Sequence, residues 1–230
     1  VSAKPMMPER LAGGAPILVL APHPDDESLA CGALLAACFE TVGAHVACVT
    51  DGRFSHPNSR KWSGDHIAKL RRCELTEAIG VLGGKADAMT WLGYRDCHAP
   101  TDEEDCHEAV EELLALISRL GAKSVFSTAS ADPHKDHKAV SRLGRRLLRH
   151  RPDLRLFEYS VWARWNFRQY ESEGLRIRSG DWRDRKEAAI ACHRSQRGEV
   201  IDDDPEGFAM APGFAEFFTA HDEYFAEVRP

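Results

Sequence analysis

Short apolar runs and helical stripes take turns along this chain. Residues 17–21 (ILVLA) form an unbroken apolar run closed by Pro22, which predicts a buried strand. Leu29, Leu34 and Leu35 then recur at helical spacing and predict a helix over 27–43, stopped by Gly43. The exchange repeats with an apolar run at 45–50 and a stripe of Ile67, Leu70, Leu75, Ala78, Ile79 and Leu82, a helix over 65–83. A third run at 88–92 precedes a helix that Asp102 or Asp105 would cap and that runs to Leu120. Residues 124–129 and 154–162 read as further strands, with a basic helix over about 137–150 between them. Such alternation predicts an α/β fold, a mostly parallel sheet with helices on both faces. Beyond Trp165 the pattern loosens into a strand at 175–179, a helix near 182–196, a Pro/Asp-rich loop and an amphipathic helix over 213–227. The organisation expected is a loose leader over 1–14, then one domain over 15–230 with a C-terminal elaboration from about 166.

The polar residues fall where this pattern makes them meaningful. His23, Asp25 and Asp26 follow the first strand, Asp51 the second, Asp96 the third, and His134, Asp136 and His137 the fourth. In a parallel sheet all these strand ends share one edge, and ligands bind where the strand order reverses. A reversal between the first and fourth strands would bring the two His/Asp clusters face to face.

Composition narrows the classes without choosing among them. With 230 residues and 43% hydrophobic content the chain can bury a full core. A net charge of −6 argues against nucleic acid as the main partner. No apolar run is long enough for a transmembrane helix, and residues 1–16 lack the apolar core of a signal peptide. Seven cysteines without a CxxC pair fit reduced thiols and a cytoplasmic setting better than a disulfide framework. Exposed C-terminal aromatics leave a homo-oligomer open.

Crowded carboxylates and imidazoles repel one another and resist desolvation unless a cation holds them. His23 and Asp26 are three residues apart, as are His134 and His137, so each pair can share one face of a helical first turn. Two imidazoles and one carboxylate leave coordination positions open, the pattern of a catalytic zinc site. Asp25, turned away from Asp26 on the same turn, is free to take a proton from a metal-bound water. A remaining histidine would stabilise an oxyanion or protonate a leaving amine. Together these parts describe hydrolysis of an amide or ester.

PHPDDESLACG and DPHKDH resemble the two signatures of the PIG-L/LmbE family of zinc-dependent de-N-acetylases, (A/P)HPDDE and HPDH or HxxDH. The resemblance implies a Rossmann-like (LmbE-like) sheet and removal of acetyl groups from N-acetylglucosaminyl compounds. It implies one Zn2+ per chain on His23, Asp26 and His137, with Asp25 as general base. His134 would be oxyanion partner or acid, and Asp136 would orient it. RRCELTEAIGVLG and GYRD are similar to segments of the family's bacterial sugar deacetylases, implying that Arg71 and Asp96 contact sugar hydroxyls. KEAAIACHRSQ resembles the family's K-x-x-A…SQ segment. Lys135 replaces the usual proline of HPDH, and Arg53 stands where many relatives carry an acidic residue, marking the acceptor side of the pocket.

Arg53, His56, Arg60, Lys61 and Trp62 lie in a long polar loop that reads either as a flap gripping a glycan or as solvated chain. Trp162, Trp165 and Phe167 would stack on a sugar face or pack in the core. His193 is a candidate to line the site. The expected partner is a small N-acetylated sugar conjugate. Three other readings compete: an iron(II) oxygenase with two histidines and a carboxylate, a non-catalytic metal-binding module, and a nucleotide-binding domain. The last is disfavoured because no G-x-G-x-x-G follows the first strand.

Overall fold

A computed structural model describes residues 3–167 and 174–229. Eight strands form one sheet: β1 (Lys4–Pro5), β2 (Ile17–Ala21), β3 (Ala44–Thr50), β4 (Met89–Tyr94), β5 (Ser124–Thr128), β6 (Arg155–Tyr159), β7 (Leu175–Ile177) and β8 (Glu223–Val228). Their order is β1-β7-β8-β6-β5-β2-β3-β4. From β6 to β4 every neighbouring pair is parallel, whereas β8 runs antiparallel to both β6 and β7. The helices are α1 (Pro8–Ala12), α2 (Asp26–Glu40), α3 (Gly64–Val81), α4 (Glu103–Leu120), α5 (Lys135–His150), α6 (Trp162–Phe167), α7 (Arg183–Cys192) and α8 (Phe214–Ala220). Among the described residues no helix is long and apolar enough to cross a membrane.

The unbroken apolar run of β2 has a direct cause. Ile17, Val19 and Ala21 pack with α1, α2, α3, α7 and α8, while Leu18 and Leu20 pack with α4 and α5 on the other face. A strand covered on both sides has no polar alternation to show. The order reverses at β2, with β3 and β4 on one side and β5 and β6 on the other. The expected doubly covered α/β sheet is therefore present, and its switch point lies between the first two strands that carry His/Asp clusters.

Two expectations are corrected. Residues 4–12 are not loose: β1 pairs with β7, and Leu11 and Ala12 are fully buried against α2. Pro8 opens α1 and Gly13, in the left-handed region, closes it, so a short helix delivers one leucine to the core. The helix expected over 213–227 ends at Ala220, and Glu223 to Val228 form β8 instead. Tyr224 and Phe225 suit an extended chain, and β8 has two strand partners to satisfy its backbone. Of the expected C-terminal elaboration, residues 168–173 lie outside the described residues.

β8 also braces the helix that begins at the site. The buried Glu223 carboxylate accepts from the amides of Ala33 (2.7 Å) and Leu34 (2.9 Å) in α2 and from Lys186 Nζ (2.7 Å) in α7. Removing one partner of a buried ion pair strands the other charge, a loss of about 3–5 kcal/mol. Glu223→Leu should lower stability to urea by that order, and adding Lys186→Met should restore much of it. Equal instability of the single and double variants in urea titrations would contradict this account.

Candidate active site

β2 and β5 are parallel neighbours, with Ile17 opposite Ser124, so the loops leaving their carboxyl ends lie side by side. One loop carries His23 and Asp25 into α2, which opens with Asp26. The other ends on His134, which caps α5, followed by Asp136 and His137 in its first turn. Residues more than a hundred apart thereby share one volume. His23 Nδ1 is 3.2 Å and His137 Nε2 3.3 Å from the same Asp26 oxygen. The rings of His23, His134 and His137 stand 4.7–5.5 Å apart between centroids.

Each imidazole is aimed by a different device. Asp26 accepts from the His23 amide (3.0 Å), tying the two ends of the turn together. His137 Nδ1 meets Asp132 at 2.8 Å, and Asp132 also accepts from the amides of Val161 (3.0 Å) and Ala163 (2.8 Å) and from the Ser160 hydroxyl. The sequence reading missed Asp132, although ADPHKDH places this carboxylate five residues before His137. Asp136 serves His23 (Nε2 to Oδ2, 3.0 Å) and the amides of Cys97 (2.7 Å) and Ala99 (3.2 Å). It reaches His134 through its backbone, whose N–H donates to Nδ1 (3.2 Å), and not through the carboxylate that the family pattern implied. A neutral His134 with Nδ1 accepting carries its proton on Nε2.

Asp25 sits at φ 144°, a region that residues with a side chain rarely adopt, and such strain costs about 1–3 kcal/mol. Its surroundings hold it there. The amide donates to buried Glu27 (3.0 Å), which also accepts from Ser28 Oγ (2.5 Å) and His193 Nε2 (3.1 Å). Arg71 Nη2 reaches the Asp25 carboxylate (3.2 Å) and Pro24 O (2.8 Å), and Nη1 reaches Gly52 O (3.1 Å). A Cβ on Gly52 would fall 2.4 Å from that guanidinium, so glycine at φ 64° makes the close approach possible. Arg71, expected against a sugar, lines the cavity but is only 3% exposed, and its guanidinium is paired with Asp25. His193 stands behind Glu27 and does not line the site.

The other expected contacts divide. Asp96 lines the cavity, 3.3 Å from His23 Nε2, and accepts from the Phe54 amide (3.1 Å). Arg53 is not among its lining residues; it pairs with Asp51 (2.6 Å) and Asp65 (2.9 Å). Trp162 lines the cavity, whereas Trp165 packs on Phe214 and Phe217. The cavity above the cluster has a volume of about 510 Å³. Its wall includes Gln196, the last residue of the KEAAIACHRSQ segment, together with Ser55, Gly207 and Phe208, for which the chain gave no periodic or motif signal.

Burial would drive protons off His23, but Asp136, Asp26 and Asp96 outweigh it and hold its imidazole well above the usual range. Burial acts likewise on His137, yet Asp26 and Asp132 push it up to about 9. Asp26 shows the complement: burial opposes its charge, and His137 and His23 keep it below the carboxylate range. His134 is pushed down to about 4 by burial and by its two imidazole neighbours. Burial lifts Asp25 to about 7, with Arg71 opposing and Asp26 assisting. The site thus prefers positive charge among His23, Asp26 and His137. His137 Nε2 is buried 3.3 Å from the Asp26 oxygen without completing a hydrogen bond to it, and the ligand atoms of His23, His134 and His137 all lie within 4.8 Å of one another. This donor set fits a divalent metal.

A family model described as PIG-L, GlcNAc-PI de-N-acetylase, matches residues 18–148. The chain is 32% identical over 145 residues to a 2'-N-acetylparomamine deacetylase of Streptomyces fradiae, across 57% of this chain and 51% of that protein. It therefore spans about half the length of that relative. It is 27% identical over 243 residues to a 1D-myo-inositol 2-acetamido-2-deoxy-alpha-D-glucopyranoside deacetylase of Saccharomonospora viridis, covering 84% of this chain and 88% of that one. The N,N'-diacetylchitobiose deacetylase of Pyrococcus horikoshii superimposes with a TM-score of 0.67 at 21% identity, over 93% of this chain and 83% of that one. A 4-carboxy-2-hydroxymuconate hydratase of Pseudomonas putida KT2440 does so with 0.72 at 16%, over 94% and 97%. At these identities the structural likeness is one of fold.

A metal must displace protons from imidazoles whose folded-state affinity for protons is raised. Binding at pH 7 should therefore release up to about two protons, and affinity should climb as pH rises toward 9. Calorimetry in buffers of different ionisation enthalpy reads this directly; a heat independent of buffer would contradict it. Asp132→Ala, which frees the His137 ring, should weaken the metal by about 10–100-fold.

Proposed function

The chain belongs to the PIG-L family of GlcNAc-PI de-N-acetylases, and from that premise we propose that it is a zinc-dependent hydrolase of N-acetylated sugars or sugar conjugates. It removes the acetyl group from the amide nitrogen. His23, Asp26 and His137 hold one zinc ion per chain. When bound, the ion supplies an acidified water and a Lewis acid for the acetamide carbonyl.

The residues of the chain do the rest. Asp25, buried and lifted to about 7, takes the proton of the attacking water and later returns it to the leaving amine. Glu27 and Arg71 fix this carboxylate over the cavity, so little reorganisation is needed at the moment of attack. His134 acts as a neutral donor. Its Nδ1 accepts from the Asp136 amide, leaving Nε2–H for the oxygen on which negative charge develops. Its low proton affinity favours that role over general acid. Asp96, at the cavity edge, is placed to accept from a sugar hydroxyl.

The observation that carries this reading is the convergence of a buried metal-fitting set with a separate, strained carboxylate facing the same cavity. A site that merely stored metal would have no use for Asp25 in that conformation.

Acetate release from a panel of N-acetylated glucosamine conjugates by zinc-loaded enzyme tests the activity, and its absence across the panel would sink the proposal. Asp25→Asn should keep its zinc and lose about 10²–10⁴-fold in kcat; retained turnover would remove the general-base role. His134→Ala should lower kcat by about 10²–10³-fold with KM little moved, and an effect confined to KM would refute an oxyanion partner.

A further inference from the structure

The far wall of the cavity is built by two segments remote from the metal-fitting cluster. Residues 54–59 and 203–209 are tied together: Phe208 N–H donates to Ser55 O (2.6 Å), Asn58 N–H to Asp204 (2.8 Å) and Ser59 Oγ to Asp203 (2.7 Å). Gly207 lies against His56, where a Cβ would come within 2.2 Å of the ring, so glycine lets the two segments close. The loop that the sequence left as flap or solvated chain is therefore a fastened wall.

Its inner surface is aromatic. Phe54, Trp162, Phe208 and Phe214 line the cavity, and the Trp162 ring is 5.8 Å from Phe208 and 5.4 Å from Phe214. Phe54 is 40% exposed, a large apolar face left open beside the site. Glu206 stands on the same rim. Its amide donates to Asp204 (3.3 Å), and its carboxylate has no ion-pair partner among the described residues. The other acidic lining residues are Asp25, Asp26 and Asp96, and the one guanidinium there, Arg71, is already bound to Asp25. Aromatic rings beside an unpaired carboxylate are the chemistry that holds an ammonium group.

We infer that this rim, given the deacetylase reading on which the inference rests, recognises a cationic second ring on the substrate, an amino-substituted cyclitol or sugar whose ammonium lies between Glu206 and the Trp162–Phe208 rings. The acetamide then enters toward Asp25 and His134 while the charged ring remains at the mouth. An anionic group in that place would meet carboxylates and no free cation among the described lining residues.

The test compares 2'-N-acetylparomamine, N,N'-diacetylchitobiose and N-acetylglucosaminyl malate as cationic, neutral and anionic substrates. The expected order of kcat/KM is cationic, neutral, anionic, with a cationic-to-neutral ratio of about five- to ten-fold that shrinks as salt is added. Glu206→Gln should bring the ratio close to one, and Glu206→Lys should turn the preference toward the malate conjugate. An unchanged ratio in Glu206→Gln, or a wild-type preference for malate, overturns the inference. Calorimetric binding of paromamine to wild type and Glu206→Gln separates the two readings without turnover. Glu206-dependent binding with no acetate from any substrate keeps the rim site and removes the deacetylase. Acetate from all three, indifferent to Glu206, does the reverse.

Discussion

Asp26 and the two imidazoles that share one of its oxygens set the terms for the rest of the molecule. A fully buried carboxylate is stable only against positive charge, and here both neighbours take on protons more readily than a free imidazole to provide it. Those protons occupy the volume a metal would take. Asp132 and Asp136, each pinned by backbone amides, face the two imidazoles from opposite sides and add to the demand for a cation. The parallel pairing of β2 with β5 exists at the point where this charge balance is needed. The sheet positions the two loops, and the electrostatics makes their meeting favourable only as a set.

Asp25 follows a different logic. Hydrogen bonds hold it in a strained conformation: its amide donates to Glu27 of α2, and Arg71 of α3 donates to its carboxylate. His193, at the end of α7, charges the far side of Glu27. Two helices remote in sequence, α3 and α7, therefore bear on one carboxylate alongside the adjacent α2. Two neighbouring aspartates in one motif, both buried, acquire opposite proton affinities because His137 and His23 outweigh burial at Asp26, whereas burial outweighs Arg71 at Asp25. In the proposed reaction, that divergence would let one hold a cation while its neighbour moves a proton.

The sheet was legible because strand and helix periods are local: β2 to β6 and α2 to α5 lie within a few residues of where the apolar spacing puts them. The cluster was legible too, since His23, Asp26, His134 and His137 sit at motif spacing at strand ends. What escaped were contacts that no local period encodes. Nothing local marks Asp132, whose role depends on Val161 and Ala163 folding back onto it. Arg71 was expected against a sugar, and only the tertiary fold put it under Asp25. Residues 213–227 misled for a related reason: the amphipathic stripe of α8 stops at Ala220, and the two-residue spacing of buried Glu223 and Phe225 that follows is the strand period.

The same distinction explains why the reaction and the substrate were unequally readable. The reacting groups come from two short motifs, each complete within a few residues. Much of the cavity wall comes from Trp162 and from Phe54, Ser55, Pro57 and residues 206–209, on loops that carry no motif and are joined by hydrogen bonds. Loop-to-loop bonds of this kind tolerate changes of side chain wherever the amide is the donor, as at Phe208 and Asn58. The wall can therefore change its aromatic and charged residues while the cluster beneath it stays fixed. On the proposed reading, selectivity falls to side chains that the chemistry does not constrain, and for that reason it must be read from the assembled cavity.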